Sequence, residues 1–500
     1  MRTTFLTALS AVLLFSIGAF AQEGAPTAAA PPTAAATATE EEAFNEALKA
    51  EPGGLTATAV GKRAGETSYQ AKASEEALRG AAARVDAAFY AFLPHLSGVA
   101  SYTRLSEFTP PAIFNTGGSL VGSTQNNAGP IADPNSLVAL PSSLFAFPLV
   151  FNNWNLQATI VIPITDYFLR INENYTAATH AREAARYDVA TARAGSASDG
   201  EVAFYNWLRA RGALVVAQLA LQDQKTHLTD TKNLFTVGNA SQVDVLRGET
   251  AVSDAELAVV RAQNLLEFTA KQLRVAMHIE DSVPIASGET IDARVLPPVQ
   301  GNLGSLISEA QSARFEVHSL DANIEAVKAQ ARFMKAAIYP QITAYGDVIY
   351  ANPNPRVFPQ SDTWFPTWDL GARMTWSPND IPTSLANSAD FASRAAGLEA
   401  QKQALRDGIA LEVTGAYQTV QAADFAVQST EKQLTSAREA VRVARELFKA
   451  GRVTSTTLTD AETELTRARL SMLNARIDAR TARVRLDHAL GRDTRLVALP

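Results

Sequence analysis

Residues 234–246 read LFTVGNASQVDVL, and residues 447–459 answer with LFKAGRVTSTTLT. Gly238 and Gly451 stand at the same place in the two stretches, at an offset of 213, and the match extends outward from them. At that offset Glu249 meets Glu462, Leu257 meets Leu470 and Leu273 meets Leu486. Phe92-Leu93-Pro94-His95-Leu96 matches Ile338-Tyr339-Pro340-Gln341-Ile342 at offset 246, and Trp154-Asn155-Leu156 matches Trp368-Asp369-Leu370 at offset 214. Pro94 to Trp154 is 60 residues and Pro340 to Trp368 is 28, so the first copy carries 32 extra residues there. Three blocks in one order are an internal duplication, and a duplication constrains the fold before any single element is read.

Between the matched blocks the apolar period is seven. Leu214, Leu221, Leu228 and Phe235 precede the first glycine, and Val245, Val252, Val259, Leu266 and Leu273 follow it. The second copy has Val427, Leu434, Val441 and Phe448, then Leu458, Leu465, Met472, Ala479 and Leu486. Such recurrence reads as coiled coil. A stripe of small residues runs three positions on, Ala461, Ala468, Ala475 and Ala482, with Gly248, Ala255, Ala262 and Thr269 in the first copy. It lets the helices approach closely. Each copy is therefore read as a long antiparallel hairpin turning at its glycine. From Tyr175 to the first tip, about 60 residues at 1.5 Å each make an arm of roughly 90 Å. Heptads alone would favour a periplasmic coiled-coil adaptor or a spectrin-like scaffold protein.

Around the prolines and tryptophans the period drops to two. Strands are expected at 95–104, 154–163, 341–350 and 368–377. Leu156, Ala158, Ile160 and Ile162 alternate with Asn155, Gln157, Thr159 and Val161; Leu370, Ala372, Met374 and Trp376 alternate with Asp369, Gly371, Arg373 and Thr375. Runs of about ten alternating residues with aromatics at their ends are the pattern of strands that face lipid on one side and a polar lumen on the other. Four strands cannot close a barrel, and open edges do not persist in lipid. The reading is therefore mainly α with transmembrane β, the barrel being shared between subunits. Two chains would supply eight strands and three would supply twelve.

The remaining segments set the context. Residues 1–21 read as a secretory signal peptide, with Arg2, an apolar stretch from Phe5 to Phe20 and an Ala19-Phe20-Ala21 cleavage site. Its removal takes the net charge from −7 to −8, against nucleic-acid binding. Residues 22–53, rich in Ala, Pro and Thr, are expected to be a disordered tether. Repeat 1 spans 54–290 and repeat 2 spans 291–495, with a Pro-rich belt at 279–302 between them. Arg104 to Asn153 reads as an external loop. Cysteine is absent, which excludes disulfides and a lipid-modified N-terminal cysteine. The six histidines are scattered without metal spacing, and no nucleophile motif or phosphate loop is present, so neither an enzyme nor a metal or other cofactor is expected.

On the duplicated strand–helix unit, the Leu-Pro-x-Leu and Tyr-Pro-x-Ile strand starts and the two tips, the chain resembles the TolC family of outer-membrane efflux channels over essentially Leu55 to Gly491. The resemblance implies a homotrimer: a twelve-stranded β-barrel in outer-membrane lipid, joined to a twelve-helix α-barrel that extends into the periplasm of a Gram-negative bacterium. It implies an exit duct of a tripartite efflux or type I secretion system, reached through a periplasmic adaptor (membrane fusion protein) from an inner-membrane pump. The tip positions Val237, Gly238, Ala450 and Gly451 are carried over as adaptor contacts. Phe235, Phe448, Asp244, Asp460 and Arg452 are carried over as the periplasmic entrance. The family's aspartates lie six and nine residues past the tip glycine; here Asp244 and Asp460 match, while Thr457 and Arg247 depart. The family arginine two past the second glycine is Val453 here, with Arg452 one before it. Asp347, Asp369 and Arg373 are expected in the barrel lumen.

Overall fold

The structure is a computed structural model and describes residues 49–107, 120–123, 137–140, 150–291 and 297–493. The first copy runs α1 (Ala57–Thr67), α2 (Tyr69–Tyr90), β1 (His95–Arg104), the short β2 (Leu120–Ser123) and β3 (Leu137–Leu140), and β4 (Asn152–Pro163). A turn of helix at Ile164–Asp166 and a π-helical turn at Tyr167–Ile171 then lead into α3 (Asn172–Thr236), followed by α4 (Gln242–Met277). The second copy repeats the order: α5 (Leu303–Ala313), α6 (Phe315–Lys335), β5 (Gln341–Asn352), β6 (Phe365–Thr375), α7 (Ile381–Lys449) and α8 (Ser455–Ala489). At 1.5 Å per residue the 65 residues of α3 and the 69 of α7 are each about 100 Å long.

Both long helices stop at a glycine with positive φ, +80° at Gly238 and +69° at Gly451, the left-handed turn that a side chain would strain. The N–H of Asn239 then donates to the Leu234 carbonyl, and that of Arg452 to the Leu447 carbonyl, closing the last turn. Ser241 and Thr454 cap the returning helices. Near the tips α4 packs on α3 and α8 on α7, and α8 also packs on α3, so the helices lie in the order α4–α3–α8–α7. At the other end α6 lies between α3 and α7, and α2 lies on α3. The seven-residue seam is buried throughout α8, where Leu458, Leu465, Met472, Ala479 and Leu486 are all covered. Of that seam in α4 only Leu273 reaches that state; among the described residues α4 packs along its length on α3 alone and touches α1 near its C-terminal end.

The strands form one antiparallel sheet in the order β1–β4–β5–β6, so the two copies meet at β4 and β5. The first strand agrees with expectation and the others shift. Arg104 pairs with Asn152, which starts β4 two residues early; Ala351 pairs with Phe365, which lengthens β5 and starts β6 three residues early. At the other end Trp376 has left the ladder, its indole N–H donating to the Ile338 carbonyl at 3.2 Å.

The expected signal peptide and the expected tether as far as Leu48 lie outside the described residues. The end of the expected tether and the start of repeat 1 are tied down: Glu51 N–H donates to the Ser287 carbonyl (2.7 Å) and Leu55 N–H to the Ala286 carbonyl (2.8 Å). The belt is thus a two-segment ribbon, and α8 holds it through Arg480 on the Thr290 carbonyl and Arg483 on the Pro297 carbonyl. The expected external loop contains the β2–β3 hairpin; 108–119, 124–136 and 141–149 lie outside the described residues.

Candidate functional site: a sheet with two chemistries and two unequal tips

Along β4 the side chains alternate strictly, with Trp154, Leu156, Ala158 and Ile160 exposed and Asn155, Gln157 and Thr159 half-buried. The neighbouring strands continue the exposed apolar face with Leu96 and Tyr102, Val348 and Tyr350, and Trp368, Leu370 and Met374. Aromatic pairs cap one end of it: Tyr102 with Trp154 at 4.3 Å and Tyr350 with Trp364 at 4.9 Å between ring centres. A soluble sheet buries such a face; this one presents it. Twelve residues at about 3.3 Å, tilted by about 45°, rise roughly 28 Å, close to the hydrocarbon thickness of a bilayer.

The three charges expected in the lumen lie together on the opposite, polar face. Asp347 and Asp369 are direct cross-strand partners, which would repel. Each has its own compensation. Gln157 Nε2 donates to Asp347 Oδ1 at 3.0 Å and the Thr159 hydroxyl donates to the same oxygen, while Arg356 lies 2.6 Å from Asp369 Oδ1. The Arg373 guanidinium sits 5.3 Å over the Tyr345 ring, and that ring lies across Gly371, where a Cβ would come within 2.6 Å of it. β1 and β6 have one strand neighbour each among the described residues, leaving both sheet edges unpaired.

At the tips the structure separates residues that the duplication makes equivalent. Phe448 is 6% exposed, stacked on His227 of α3 at 5.3 Å and packed with Ala444 and Leu458; Phe235 is 44% exposed. The difference lies in the neighbour: the α7–α8 hairpin has α3 beside it, whereas near its tip the α3–α4 hairpin has, among the described residues, no further helix beside α4. Val237, Gly238, Ala450 and Gly451 are all exposed at the turns. Asp244 proves to be a capping residue. Its carboxylate accepts from the Ser241 N–H (3.0 Å) and hydroxyl (2.7 Å), and its own N–H donates back to Ser241 Oγ, which holds the carboxyl below the usual carboxylate range. In the second copy Thr454 caps the helix one way only, accepting from the Thr457 N–H at 3.4 Å, with the two hydroxyls 3.1 Å apart. The Ser-x-x-Asp spacing carried that signal in the sequence. Asp460 and Arg452 are exposed beside the second tip.

Above the tips lies a buried ionic cluster that the heptad reading passed over. Asp223 of α3 is 3.3 Å from both Arg445 of α7 and Arg469 of α8. Arg445 lies 3.5 Å from Glu462 of α8, which accepts from Gln224 at 3.3 Å and lies 3.6 Å from His227 Nδ1. His227 Nε2 is 2.9 Å from the Ser455 hydroxyl, and burial holds this imidazole below its usual range. The five charged or titratable members lie in three helices, so no local sequence pattern marks them. A second half-buried group sits higher. Ala57 N–H donates to Glu289 Oε1 (2.6 Å) and the Tyr205 hydroxyl to Oε2 (3.2 Å). Burial, with Asp487, Asp493 and Glu289 nearby, pushes the Glu201 carboxyl up to about 7.

The sequence profile of the outer membrane efflux protein family matches residues 63–277 and 306–492, both copies of the duplication. The chain belongs to that family. Among solved structures, CusC aligns with a TM-score of 0.70 at 14% identity, over 87% of this chain and 92% of its own. The MtrE outer membrane channel of Neisseria gonorrhoeae, in its open state, gives 0.68 at 16%, over 87% and 88%. The CmeC outer membrane channel of Campylobacter jejuni gives 0.65 at 15%, over 90% and 85%. No curated protein sequence matches the chain. Membership makes the protein an outer-membrane exit channel of an efflux system, standing in the outer membrane of a Gram-negative cell and reaching into the periplasm, in a family of channels and not of enzymes. The apolar sheet face fits that place. No helix among the described residues is long and apolar enough to cross a membrane.

Proposed function

We propose that three copies of the chain close a twelve-stranded barrel, β6 of each pairing with β1 of the next, above a ring of twelve helices that forms a periplasmic duct. The unpaired sheet edges support closure between chains, because in lipid an open edge leaves backbone groups unsatisfied. The observation that carries the reading comes from the duplication. Inside one chain α8 packs on α3; shifting by 213 residues turns that junction into α4 against the α7 of a neighbour. Phe425, 72% exposed, corresponds to buried Gly212, and Val260, 50% exposed, corresponds to Leu473 at 2%. Leu411 and Phe268, 75% and 59% exposed, correspond to buried Ser198 and Thr481. Large apolar residues thus stand out at four positions whose internal counterparts are covered. Covering each contributes about 1.5–3 kcal/mol.

In this reading the outer tips Val237–Gly238 and Ala450–Gly451 meet a periplasmic adaptor, which joins the duct to an inner-membrane pump. Asp460 and Arg452 line the entrance with Phe235, and Asp347, Asp369 and Arg373 face the barrel lumen. Drugs or other compounds taken up by the pump leave through the duct. The test is a cysteine pair, clean in a chain without cysteine. Leu473 Cγ lies 3.2 Å from a Cβ built at Gly212, about the reach of a disulfide. The equivalent pair, Val260→Cys with Phe425→Cys, should therefore cross-link neighbouring chains into a covalent trimer on a non-reducing gel. A product that stays monomeric on full oxidation refutes the assembly.

A further inference from the structure

The loop joining β5 to β6, residues 353–364, leaves the sheet at the end remote from the helices, and it turns back over the polar face. Asn354 is 2% exposed and engaged through both ends of its amide. Its Oδ1 accepts from the Arg356 N–H at 2.9 Å, and its Nδ2 donates to the Phe365 carbonyl at 2.8 Å and the Thr367 hydroxyl at 3.1 Å. The Val357 N–H donates to the Asn354 carbonyl at 3.1 Å and closes the turn. From there Arg356 reaches Asp369, 2.6 Å away, in the cross-strand row Asp369–Asp347–Thr159–Ser97. That row lies four residues inside Ala351–Phe365, the last pair of the β5–β6 ladder, or about 13 Å along the strand. An arginine side chain spans only part of that length, so the loop backbone itself lies over the polar face. Ile349 and Ala351 of β5, on the same face, are buried, whereas Val348 and Tyr350 on the lipid side are exposed. Twelve strands about 4.8 Å apart and tilted by about 45° close a ring roughly 80 Å around and about 26 Å across between backbones. A layer packed on a sheet face stands about 10 Å off it, so three such loops take up most of the radius.

We infer that the three β5–β6 loops form a constriction at the outer end of the lumen, each held down by Arg356 on Asp369 and by Asn354 on β6, and that this constriction sets the largest molecule the barrel passes. The inference rests on the trimer proposed above. Asn354, Arg356 and Asp369 are then specificity-determining residues for export. A compound that fits between the loops leaves with all three in place. A bulkier one has to break the Arg356–Asp369 pair, which is partly exposed and readily exchanged for water.

The test is the labelling of a single thiol from outside intact cells, in a chain with no other cysteine. His95→Cys places it on the polar face of β1 at the end next to the helices, beneath the loops. Two membrane-impermeant reagents are compared, a small charged methanethiosulfonate and a maleimide carried on a polyethylene glycol too large for general porins. With the loops intact the large reagent should lag far behind the small one. Replacing residues 354–363 by Asn-Gly should raise the large-to-small rate ratio several-fold. Arg356→Ala and Asp369→Asn should each raise it as well, and the double variant no further than either alone, because both remove one contact. Should the shortened chain fail to assemble, the point variants carry the test. A ratio that stays at the starting value in these variants overturns the inference, and additive effects of Arg356→Ala and Asp369→Asn overturn the assigned contact. Failure of the trimer itself shows separately, as absence of the Val260–Phe425 cross-link.

Discussion

Ala158 lies at the middle of β4, opposite Gly98 of β1 and Val348 of β5, four residues from Trp154 at one end and four from Ile162 at the other. Its side chain is on the exposed apolar face. An arginine there would stand near the bilayer midplane, at a cost of about 2–4 kcal/mol, or about 6–12 kcal/mol for three copies. That is comparable to the whole stability of an ordinary domain, about 5–15 kcal/mol. Ser97, paired with Thr159 on the polar face, is the control, because an arginine there reaches water. Refolding of the purified chain into phospholipid vesicles, titrated with denaturant and read by trimer yield on unheated gels, measures both variants. Ala158→Arg should lower the midpoint sharply and Ser97→Arg should leave it near the parent. Equal effects, or the reverse order, would refute the assignment of the two faces.

Two further outcomes follow from the helices. Asp244→Ala removes a capping box and should cost about 0.5–2 kcal/mol of helix stability without changing cation preference, whereas Asp460→Ala should reduce the preference for cations in bilayer recordings; the assignment of the entrance to Asp460 fails if only Asp244→Ala alters selectivity. The folded-state pKa of Glu201, about 7, exceeds the unfolded value of 4.5, so the fold favours the protonated acid and its stability contribution falls as pH rises between them. Glu201→Gln should therefore stabilise the protein at pH 8 by about 1 kcal/mol, after allowance for solvent at a half-buried side chain, and do little at pH 5. Melting curves at the two pH values decide it, and equal shifts would contradict the burial argument.

What the sequence discloses is what short-range periodicity encodes. Period two along 154–162 assigns each side chain to lipid or lumen with no knowledge of the partner strand, and the glycines at the tips state their own backbone geometry. Strand ends were less legible. Phe365 and Pro366 carry no alternation, and their place in β6 depends on Tyr350 and Ala351 across the ladder. Phe235 and Phe448 are indistinguishable in sequence, and only the position of α3 beside α7 and α8 covers one and leaves the other open. The ionic cluster was illegible for the same reason, its members being brought together from α3, α7 and α8. Asp244 was legible twice over, as a residue matched to the family entrance and as the fourth position of a Ser-x-x-Asp cap, and the structure supports the cap directly.

In the proposed trimer the duplication does more than double the fold, since the α3–α8 junction within a chain stands for the α4–α7 junction between chains. The most direct test of a barrel shared among three chains is to fractionate cells that produce the protein and to run the outer membranes on a gel without heating. The account predicts a heat-modifiable band at three times the mass of one mature chain, that is 53.4 kDa less the signal peptide, confined to the outer membrane. A monomer in the soluble periplasmic fraction would contradict it.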